Sequence, residues 1–291
     1  MDERLKENRT RGTMRFPFEL YPTYSFEKRI FVACHWQEDH EIIRVMNGNI
    51  ELRLDGAAYL LSAGDIVFIN PGQIHQLKGV TDDAMYYAYV FPLSALSFEH
   101  RDITQVQVLE ALLDRTVGFP TLITPNDVNY TSILSIIDAV INCNLERYYL
   151  YELDTKIHLL NLICLFKKEN RFISYYSTKQ TDTCKKILLY IQEHFSEKLS
   201  VADVAAAVGL SENYFSTFFT EHFHMGFVNY LTVYRMQQAC TLLETTNASV
   251  TEIALHVGFD SISYFIQKFK GMNGITPNKY RDRYFNPQKT S

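Results

Sequence analysis

The sequence contains few cysteines, no long apolar run and no excess of positive charge. No two of its five cysteines form a CxxC pair, which argues against a zinc ribbon or a disulfide framework. The best apolar run, Leu159 to Phe166, is about half the roughly 18 residues of a membrane span, and it includes Asn161. We therefore expect no membrane segment in this sequence.

The first residues, MDERLKENRTRG, are polar and have no apolar core behind their charges, so they do not resemble a secretory signal. Together with the scattered cysteines, this predicts a cytoplasmic protein. Hydrophobic residues make up 47% and charged residues 21%, which is an ordinary globular balance. A chain of 291 residues is long enough for two domains, each with its own core.

The net charge of −5 is unevenly distributed along the chain. Residues 1–183 have a net charge of −6, whereas residues 184–291 have a net charge of +1. Near the C-terminus, six cations stand against the single acid Asp282: Lys268, Lys270, Lys279, Arg281, Arg283 and Lys289. A locally basic end on an acidic chain is compatible with phosphate binding.

The pattern of apolar residues predicts an α+β chain. Short alternating or apolar runs between residues 26 and 92 are separated by turn residues, which favours a small antiparallel barrel or sandwich. The runs are Ile30–Trp36, Glu41–Met46, Ile50–Leu54, Ile66–Ile69 and Met85–Phe91. Residues 103–169 have helical spacing in three segments, residues 170–182 are polar and are interpreted as a linker, and residues 183–277 are predicted to be helical.

An internal repeat lies inside the C-terminal helical region. SVADVA at Ser200 is matched by SVTEIA at Ser249, and Tyr214-Phe215 by Tyr264-Phe265, at offsets of 49 and then 50 residues. Each copy has a serine with an acid three residues later, which is a capping box, and then a glycine suited to a sharp turn. A helical bundle would explain the aromatic residues, but the duplicated caps and turns favour two helix-turn-helix units joined by a long helix.

The segment from Leu199 to Arg281 resembles the DNA-binding domain of the AraC/XylS family of bacterial transcription regulators. The matching positions are Ala205, Gly209, Tyr214, Phe215, Phe219, Arg235, Ala239, Leu242, Leu243, Glu252, Ile253, Ala254, Gly258, Phe259, Tyr264, Phe265, Phe269, Lys270, Gly274, Thr276, Pro277, Tyr280 and Arg281. The resemblance implies a seven-helix domain whose third and sixth helices read double-stranded DNA. It also implies an operator as partner.

Particular residues are carried over from this resemblance. Base-facing positions would be Asn213, Ser216 and Thr217 in the first unit, and Ile262, Ser263, Ile266 and Gln267 in the second. Phosphate partners would be Ser211, Ser261, Lys268, Lys270 and Arg281. The family often has arginine where this chain has Thr217 and Gln267, so we expect fewer guanine contacts. We expect Arg235 to support the joining helix.

Residues 34–77 resemble the cupin-type sensor domain of the same family, through His35-Trp36, Glu41-Ile42-Ile43, Gly48, Asp55-Gly56, Ala63-Gly64-Asp65, Asn70-Pro71-Gly72 and His75. Metal-binding cupins use His-x-His, a glutamate and a later histidine, and here Gln37 replaces the second histidine. We predict no metal and no cofactor. Binding of a divalent metal by the three remaining residues stays an alternative.

The candidate ligand-binding residues are His35, Trp36, Gln37, Glu41, His75, Tyr87 and Tyr89. Strand alternation places His35 and Gln37 on one face, and His40 on the face opposite Glu41. Polar groups beside aromatic walls suit a carbohydrate or a related metabolite. A lipid or aromatic ligand is the alternative, because aromatic residues make up 14% of the chain and could build an apolar pocket.

The predicted domains are a cupin-like sensing barrel at 1–102, a helical dimerisation segment at 103–169, a linker at 170–182 and an AraC-type DNA-binding domain at 183–291. The dimerisation prediction rests on a narrow apolar seam in the third helix of the middle segment, which could pair with its copy in a two-fold homodimer. The seam consists of Leu153, Ile157, Leu160 and Cys164.

We therefore predict a ligand-responsive transcription regulator rather than an enzyme. A sugar-like effector would change operator binding or contact with RNA polymerase, and we expect an activator. One alternative is a metal-dependent cupin enzyme, an isomerase or dioxygenase, fused to a DNA-binding module. Another is a constitutive DNA-binding protein whose barrel only dimerises.

Overall fold

The structure is a computed structural model that describes residues 12–13, 15–24, 31–175, 179–223 and 225–285. Among these, residues from 12 to 24 and from 35 to 179 form one compact unit, here called the N-terminal unit. Residues 31–34 and those from 180 to 285 form the other, the C-terminal unit. Lys289, counted above among the C-terminal cations, lies outside the described residues.

The N-terminal unit is built mainly of antiparallel strands. The described strands of the chain are β1 (Glu19–Tyr24), β2 (Phe31–His35), β3 (His40–Asn47), β4 (Asn49–Leu54), β5 (Ala57–Ser62), β6 (Ile66–Ile69), β7 (His75–Gly79), β8 (Met85–Phe91), β9 (Val117–Gly118), β10 (Leu122–Ile123) and β11 (Ile173–Ser174). A five-stranded sheet has the order β1-β8-β3-β6-β10. In a second sheet, β4 lies between β7 and β5. The predicted turns at Gly48, Gly56, Gly64 and Gly72 all fall between strands, and each glycine has positive φ.

The five-stranded sheet has two buried faces with different partners. Ile42 of β3 lies opposite Phe68 of β6 and Tyr89 of β8, and this face packs against helices in the main core of the unit. Glu41 lies opposite Ile69 and Val90, on the other face. Because side chains alternate along a strand, the register places Glu41 and Tyr89 on opposite faces of the sheet.

Helices follow the strands in this unit. A 3-10 turn (Leu93–Leu96) and a π-helical turn (Gln105–Leu109) lead into α1 (Glu110–Leu113), and then come α2 (Tyr130–Glu146) and α3 (Tyr151–Lys168). The three predicted helical segments are thus present, but β9 and β10 interrupt them, and β10 pairs with β6. The segment interpreted as a linker contains β11, which pairs with β9, and the start of the next helix.

Buried side-chain bonds explain why these short strands form. The amide of Asn70 pairs with the backbone of Phe119 in both directions, accepting from N at 2.8 Å and donating to O at 2.9 Å. The Tyr175 hydroxyl donates to the carbonyl of Pro71 at 2.6 Å. These contacts give backbone groups partners that a period-based prediction cannot anticipate.

From residue 180 onward, all described secondary structure of the C-terminal unit is helical, and its first helix begins at Lys179. Its helices are α4 (Lys179–His194), α5 (Val201–Ala207), α6 (Glu212–Phe223), α7 (Phe227–Thr245), α8 (Val250–His256), α9 (Ile262–Asn273) and α10 (Pro277–Phe285). The bounds repeat at the predicted offsets, because α5 and α8 have seven residues each and α6 and α9 have twelve each. We call α5–α6 the first unit pair and α8–α9 the second unit pair.

The two unit pairs begin and turn in the same way. Ser200 and Ser249 cap α5 and α8 in full capping boxes, with Asp203 and Glu252 completing them, as the sequence predicts. The turns also match, because Leu210 N donates to Ala205 O and Phe259 N donates to Ala254 O, both at 2.9 Å. Gly209 and Gly258 have φ of +73° and +88°, a conformation that L side chains rarely adopt.

Arg235, on α7, has the supporting position that the sequence predicts. Its Nε and Nη2 donate to the carbonyls of Phe195 and Glu197, each at 2.6 Å, and its guanidinium lies 5.7 Å from the centre of the Phe259 ring. The side chain therefore ties the connection between α4 and α5 to the turn of the second unit pair.

Candidate functional site

The chain has two candidate sites, and the first is a buried polar cluster in the N-terminal unit. It consists of His35 at the end of β2, Glu41 on β3 and His75 on β7, with ligand atoms that all lie within 4.8 Å of one another. Glu41 accepts a hydrogen bond at its Oε2 from Gln37 Nε2 at 2.9 Å. The rings of His35 and His75 have centroids 4.1 Å apart. Four of the seven predicted ligand-binding residues therefore meet.

The backbone sets the orientation of His75, which is fully buried. Its Nδ1 lies 3.1 Å from the carbonyl of Gln73, and because a carbonyl only accepts, Nδ1 carries the hydrogen. Its Nε2 then faces Oε2 of Glu41 at 3.3 Å. An imidazole and a carboxylate therefore lie side by side at a buried site.

The same three residues also fit a divalent metal ion. Two imidazoles and a carboxylate are a donor set found at zinc sites that keep a position open. A metal-binding histidine usually donates its other ring N–H to a carbonyl or carboxylate, as His75 does to Gln73. Gln37, where metal-binding cupins have a histidine, instead donates its amide hydrogen to Glu41.

The structure does not bring Tyr87 and Tyr89 into this cluster. Tyr87 and Tyr89 are on the face of β8 that packs against the helical core, opposite Glu41. The reason is the strand register, which sequence alone leaves open by one residue. Trp36 is buried in the connection between β2 and β3.

His40 lies on the face opposite Glu41, as predicted, and packs on Phe91 and Phe119 at ring distances of 5.7 and 5.4 Å. Burial, with Arg115 adding to it, lowers the pKa of His40 to about 3.

Sequence reasoning missed Gln73, whose backbone and side chain both support the cluster. Its carbonyl orients His75, its Oε1 accepts from Asn70 N at 2.8 Å, and its Nε2 donates to Asp55 at 3.0 Å. A signal was present, because Gln73 lies two residues before His75 in the turn after Pro71-Gly72.

The second candidate site is the exposed surface of α6 and α9. Asn213, Ser216 and Thr217 are exposed on α6, and their neighbours Phe215, Phe218 and Phe219 are buried. On α9, Ser263, Ile266 and Gln267 are exposed, while Phe265 and Phe269 are buried. Ile262 differs from the other predicted base-facing residues, because it is half-buried and packs on the core of the second unit pair.

The predicted phosphate partners fall into two groups. Ser211 and Ser261 accept from Tyr214 N and Tyr264 N at the start of α6 and α9, and Lys268 and Lys270 are exposed on α9. Arg281 is different, because it is half-buried and its Nη2 donates to the carbonyl of Ala248. The structure thus ties Arg281 to the loop before α8.

No helix within the described part of the chain is both long and apolar enough to cross a membrane.

Family models match both parts of the chain. The AraC-like ligand binding domain matches residues 21–161, and a helix-turn-helix domain matches residues 204–283. The chain is 27% identical over 296 residues to YdeC, an uncharacterized HTH-type transcriptional regulator of Bacillus subtilis (strain 168), with 97% of both chains covered. It is 37% identical over 100 residues to an HTH-type transcriptional regulator of Staphylococcus aureus (strain N315), which covers 34% of this chain and 13% of that relative.

Solved structures have the same fold. ToxT from Vibrio cholerae O395 has a TM-score of 0.52 and 16% identity, covering 92% of this chain and 98% of that chain. ToxT from strain SCE256, in a structure with an unsaturated fatty acid bound, has a TM-score of 0.51 and 16% identity, covering 91% and 95%. With a ligand-binding domain followed by a helix-turn-helix domain, the chain belongs to the AraC family of transcription regulators.

Proposed function

We propose that this protein is a ligand-responsive regulator whose effector binds beside Glu41 in the N-terminal unit. The observation that carries this proposal is the buried cluster of His35, Gln37, Glu41 and His75. Burying these polar groups together costs free energy, and the ligand atoms of His35, Glu41 and His75 lie within 4.8 Å of one another, close enough for one small ligand to contact all three. A ligand that bonds to several of these groups at once would stabilise the folded unit.

The effector we propose is a carbohydrate or a related neutral metabolite. A hydroxyl can donate to Glu41 and accept from an imidazole N–H or from the Gln37 amide, so it matches the cluster in both directions. The fatty acid bound in the ToxT structure makes a lipid the alternative. A fatty-acid carboxylate beside Glu41 would add a second negative charge, which is unfavourable at a buried site.

The second part of the proposal is sequence-specific DNA binding by α6 and α9. Their exposed polar faces, the caps at their first turns and the 19-residue α7 between the unit pairs are consistent with two helices in successive major grooves, about 34 Å apart. Asn213 and Gln267 are suited to reading adenine, and Ile266 to contacting a thymine methyl.

The third part is a homodimer formed through residues 103–169. On α3, Leu153, Ile157 and Cys164 are exposed and Leu160 is half-buried, while the opposite face is in the core. The first turn of α3 is acidic and its last turn contains Lys167 and Lys168. An antiparallel two-fold pair would place the acidic turn of one copy beside the basic turn of the other.

We also retain, as proposals, a cytoplasmic location, activation through contact with RNA polymerase, and the domain division into 1–102, 103–169, 170–182 and 183–291. A cytoplasmic location follows from an operator as partner. Activation rests on the family resemblance alone.

A thermal-shift screen of the purified protein tests the effector site. The probes are sugars, sugar phosphates, fatty acids and divalent metals. A ligand that binds only the folded state stabilises it by about 2.7 kcal/mol at a hundredfold excess over its Kd. The shift is measured against each variant's own melting temperature for Glu41→Gln and for Glu51→Gln. Glu51 is the matched carboxylate control, because it pairs with Arg53 on the outer face of β4.

A sugar-induced shift that disappears in Glu41→Gln and persists in Glu51→Gln is the expected outcome. A fatty-acid shift with the same pattern would replace the proposed ligand class and keep the site. A metal shift with that pattern would favour the cupin-enzyme alternative and require a turnover assay. Shifts that Glu41→Gln leaves unchanged would contradict the proposed site.

Selection of sites from a random duplex library tests DNA binding separately. We expect enrichment of a two-part site, and weaker binding to it by Asn213→Ala and Gln267→Ala. Failure of the folded protein to enrich any sequence would contradict sequence-specific binding.

A further inference from the structure

The two unit pairs, each taken with the start of the helix that follows it, differ in charge although they share one backbone geometry. Residues 200–231 contain no lysine or arginine and have three carboxylates, so their net charge is −3. The equivalent residues 249–281 have four cations and two carboxylates, so their net charge is +2. The groups are Asp203, Glu212 and Glu221 in the first segment, and Glu252, Asp260, Lys268, Lys270, Lys279 and Arg281 in the second.

Part of the difference falls at exposed positions, whereas Lys268 and Arg281 stand where the first segment has the buried Phe218 and Leu231. At the offset of 50 residues, Thr220 is the equivalent of Lys270 and Asn229 is the equivalent of Lys279, and all four are exposed. Glu212 and Glu221 are exposed at the two ends of α6. Tyr230 and Tyr280 confirm this offset, because each tyrosine packs on the equivalent phenylalanine, Phe219 or Phe269.

This charge difference matters because binding of duplex DNA without sequence preference is essentially electrostatic. Each lysine or arginine that neutralises a phosphate makes the affinity depend more strongly on salt. It increases the magnitude of the slope of log K against log salt concentration by about 0.9. A helix flanked by carboxylates adds no such contact through its side chains. Neutral side chains at its surface can still read base edges.

We propose that the two unit pairs contribute differently to DNA recognition, and this inference rests on the proposed DNA-binding function. The second, together with the start of α10, anchors the protein to the phosphate backbone through Lys268, Lys270 and Lys279. The first adds base contacts through Asn213, Ser216 and Thr217 without neutralising phosphates through its side chains. The second unit pair therefore supplies the affinity for any duplex, and the first contributes mainly to discrimination between sequences.

Salt-dependent fluorescence anisotropy with the full-length protein tests this division. The probes are a labelled duplex of scrambled sequence and a duplex selected from a random library. Lys268→Gln with Lys270→Gln is expected to reduce the magnitude of the salt slope by about 1.8 on both duplexes. Asn213→Ala with Thr217→Ala is expected to leave the slope unchanged and to weaken binding to the selected duplex only, by tenfold or more.

A matched control separates local charge from net charge. Lys78→Gln with Arg101→Gln makes the same change in net charge on exposed residues of the N-terminal unit, outside the segment of the proposed dimer, and it should leave both slopes unchanged. Melting temperatures of all variants are measured first, so that a loss of fold is not read as a loss of binding.

Three results would overturn the inference. The salt slope could stay at the wild-type value in the double lysine variant. The slope of the Asn213→Ala, Thr217→Ala variant could fall by as much as the 1.8 expected for the double lysine variant, or the control variant could lower the slope by about that amount. Wild-type protein that binds neither duplex at low salt would instead contradict the proposed function itself, and this inference with it.

Discussion

Among single residues, Asp127 and Arg171 join the loop before α2 to the end of α3. Asp127 accepts from the backbone N and the hydroxyl of Thr124, both at 2.8 Å, and from Arg171 Nη2 at 3.0 Å. Arg171 also donates to the carbonyl of Val128 at 2.9 Å and lies over the ring of Phe166. The backbone hydrogen bond from Thr124, followed by the other bonds and Arg171, lowers the pKa of Asp127.

This lowered pKa predicts how the stability of the protein depends on pH. A carboxyl group whose pKa is lower in the folded state stabilises the fold above its unfolded pKa, and that stability is lost as pH falls through the folded pKa. We expect the melting temperature of wild type to fall more steeply below pH 4 than that of Asp127→Asn, which cannot titrate. Other carboxyl groups are common to both proteins, so parallel melting curves would contradict the assignment.

The polar cluster shows which single site residues can be predicted from the sequence and which cannot. The resemblance gathered His35, Gln37, Glu41 and His75 into one list, and the structure brings them together. The argument that a sugar needs aromatic walls added Tyr87 and Tyr89, but these two residues lie on the other face of the sheet. An alternating strand offers two faces, and only pairing with β3 decides which residues share a face with Glu41.

Among the structural elements, the turns of the two unit pairs have the same conformation and different surroundings. A Cβ at Gly209 would meet nothing within 4 Å. A Cβ at Gly258 would lie 2.8 Å from the carbonyl of Ser196 and 2.9 Å from the guanidinium carbon of Arg235. That guanidinium cannot move freely, because it donates to two carbonyls.

Alanine substitutions at these two glycines should therefore have unequal costs. Gly209→Ala introduces only the strain of positive φ, about 1 kcal/mol. Gly258→Ala adds steric overlap, so we expect about 2–4 kcal/mol of lost unfolding free energy. Urea unfolding of the two variants measures this difference. Equal losses would show that the contacts of Arg235 with the turn contribute little.

Whole elements were predicted correctly where a sequence pattern repeats. They were missed where pairing between strands determines the structure. The duplicated caps and turns of α5 to α9 give their bounds to within a residue or two. Six strands were missed, namely β1, β5, β7 and the two-residue strands β9, β10 and β11. β1 contains Pro22, which does not suggest a strand. In β7, the buried residues His75 and Gln76 are polar, so the segment lacks the apolar pattern expected of a buried strand. The backbone groups of β1 and β7 pair with strands that lie far away in sequence, whereas β5 forms a hairpin with β4.

The outer face of α3 makes a testable contribution to assembly. Leu153→Lys should break a dimer formed by the apolar seam, since two seams would then bring buried cations together. Leu60→Lys on β5 is the matched control, because Leu60 is also an exposed leucine. Light scattering behind size exclusion should give half the wild-type mass for Leu153→Lys alone. A monomeric wild type, or equal masses for all three proteins, would contradict the seam.

Considered as a whole, the molecule has one candidate site in each unit, and its proposed function requires the two sites to be coupled. Neither the polar cluster nor the exposed faces of α6 and α9 demonstrate this coupling by themselves. Coupling is a free energy, and it is measured as the change that one ligand makes in the affinity for the other. A barrel that binds nothing and only dimerises would give no such change.

Thermodynamic linkage makes the coupling a quantitative prediction. If the effector found by thermal shift raises the affinity for the selected duplex by some factor, the duplex must raise the affinity for the effector by the same factor. We expect a factor of about 5–150, the usual range for coupled sites. Titrations in both orders measure it. Glu41→Gln should abolish the effector's influence and leave the effector-free affinity for DNA unchanged. Effector binding that leaves operator affinity unaltered in both orders would show that the N-terminal unit does not control DNA binding.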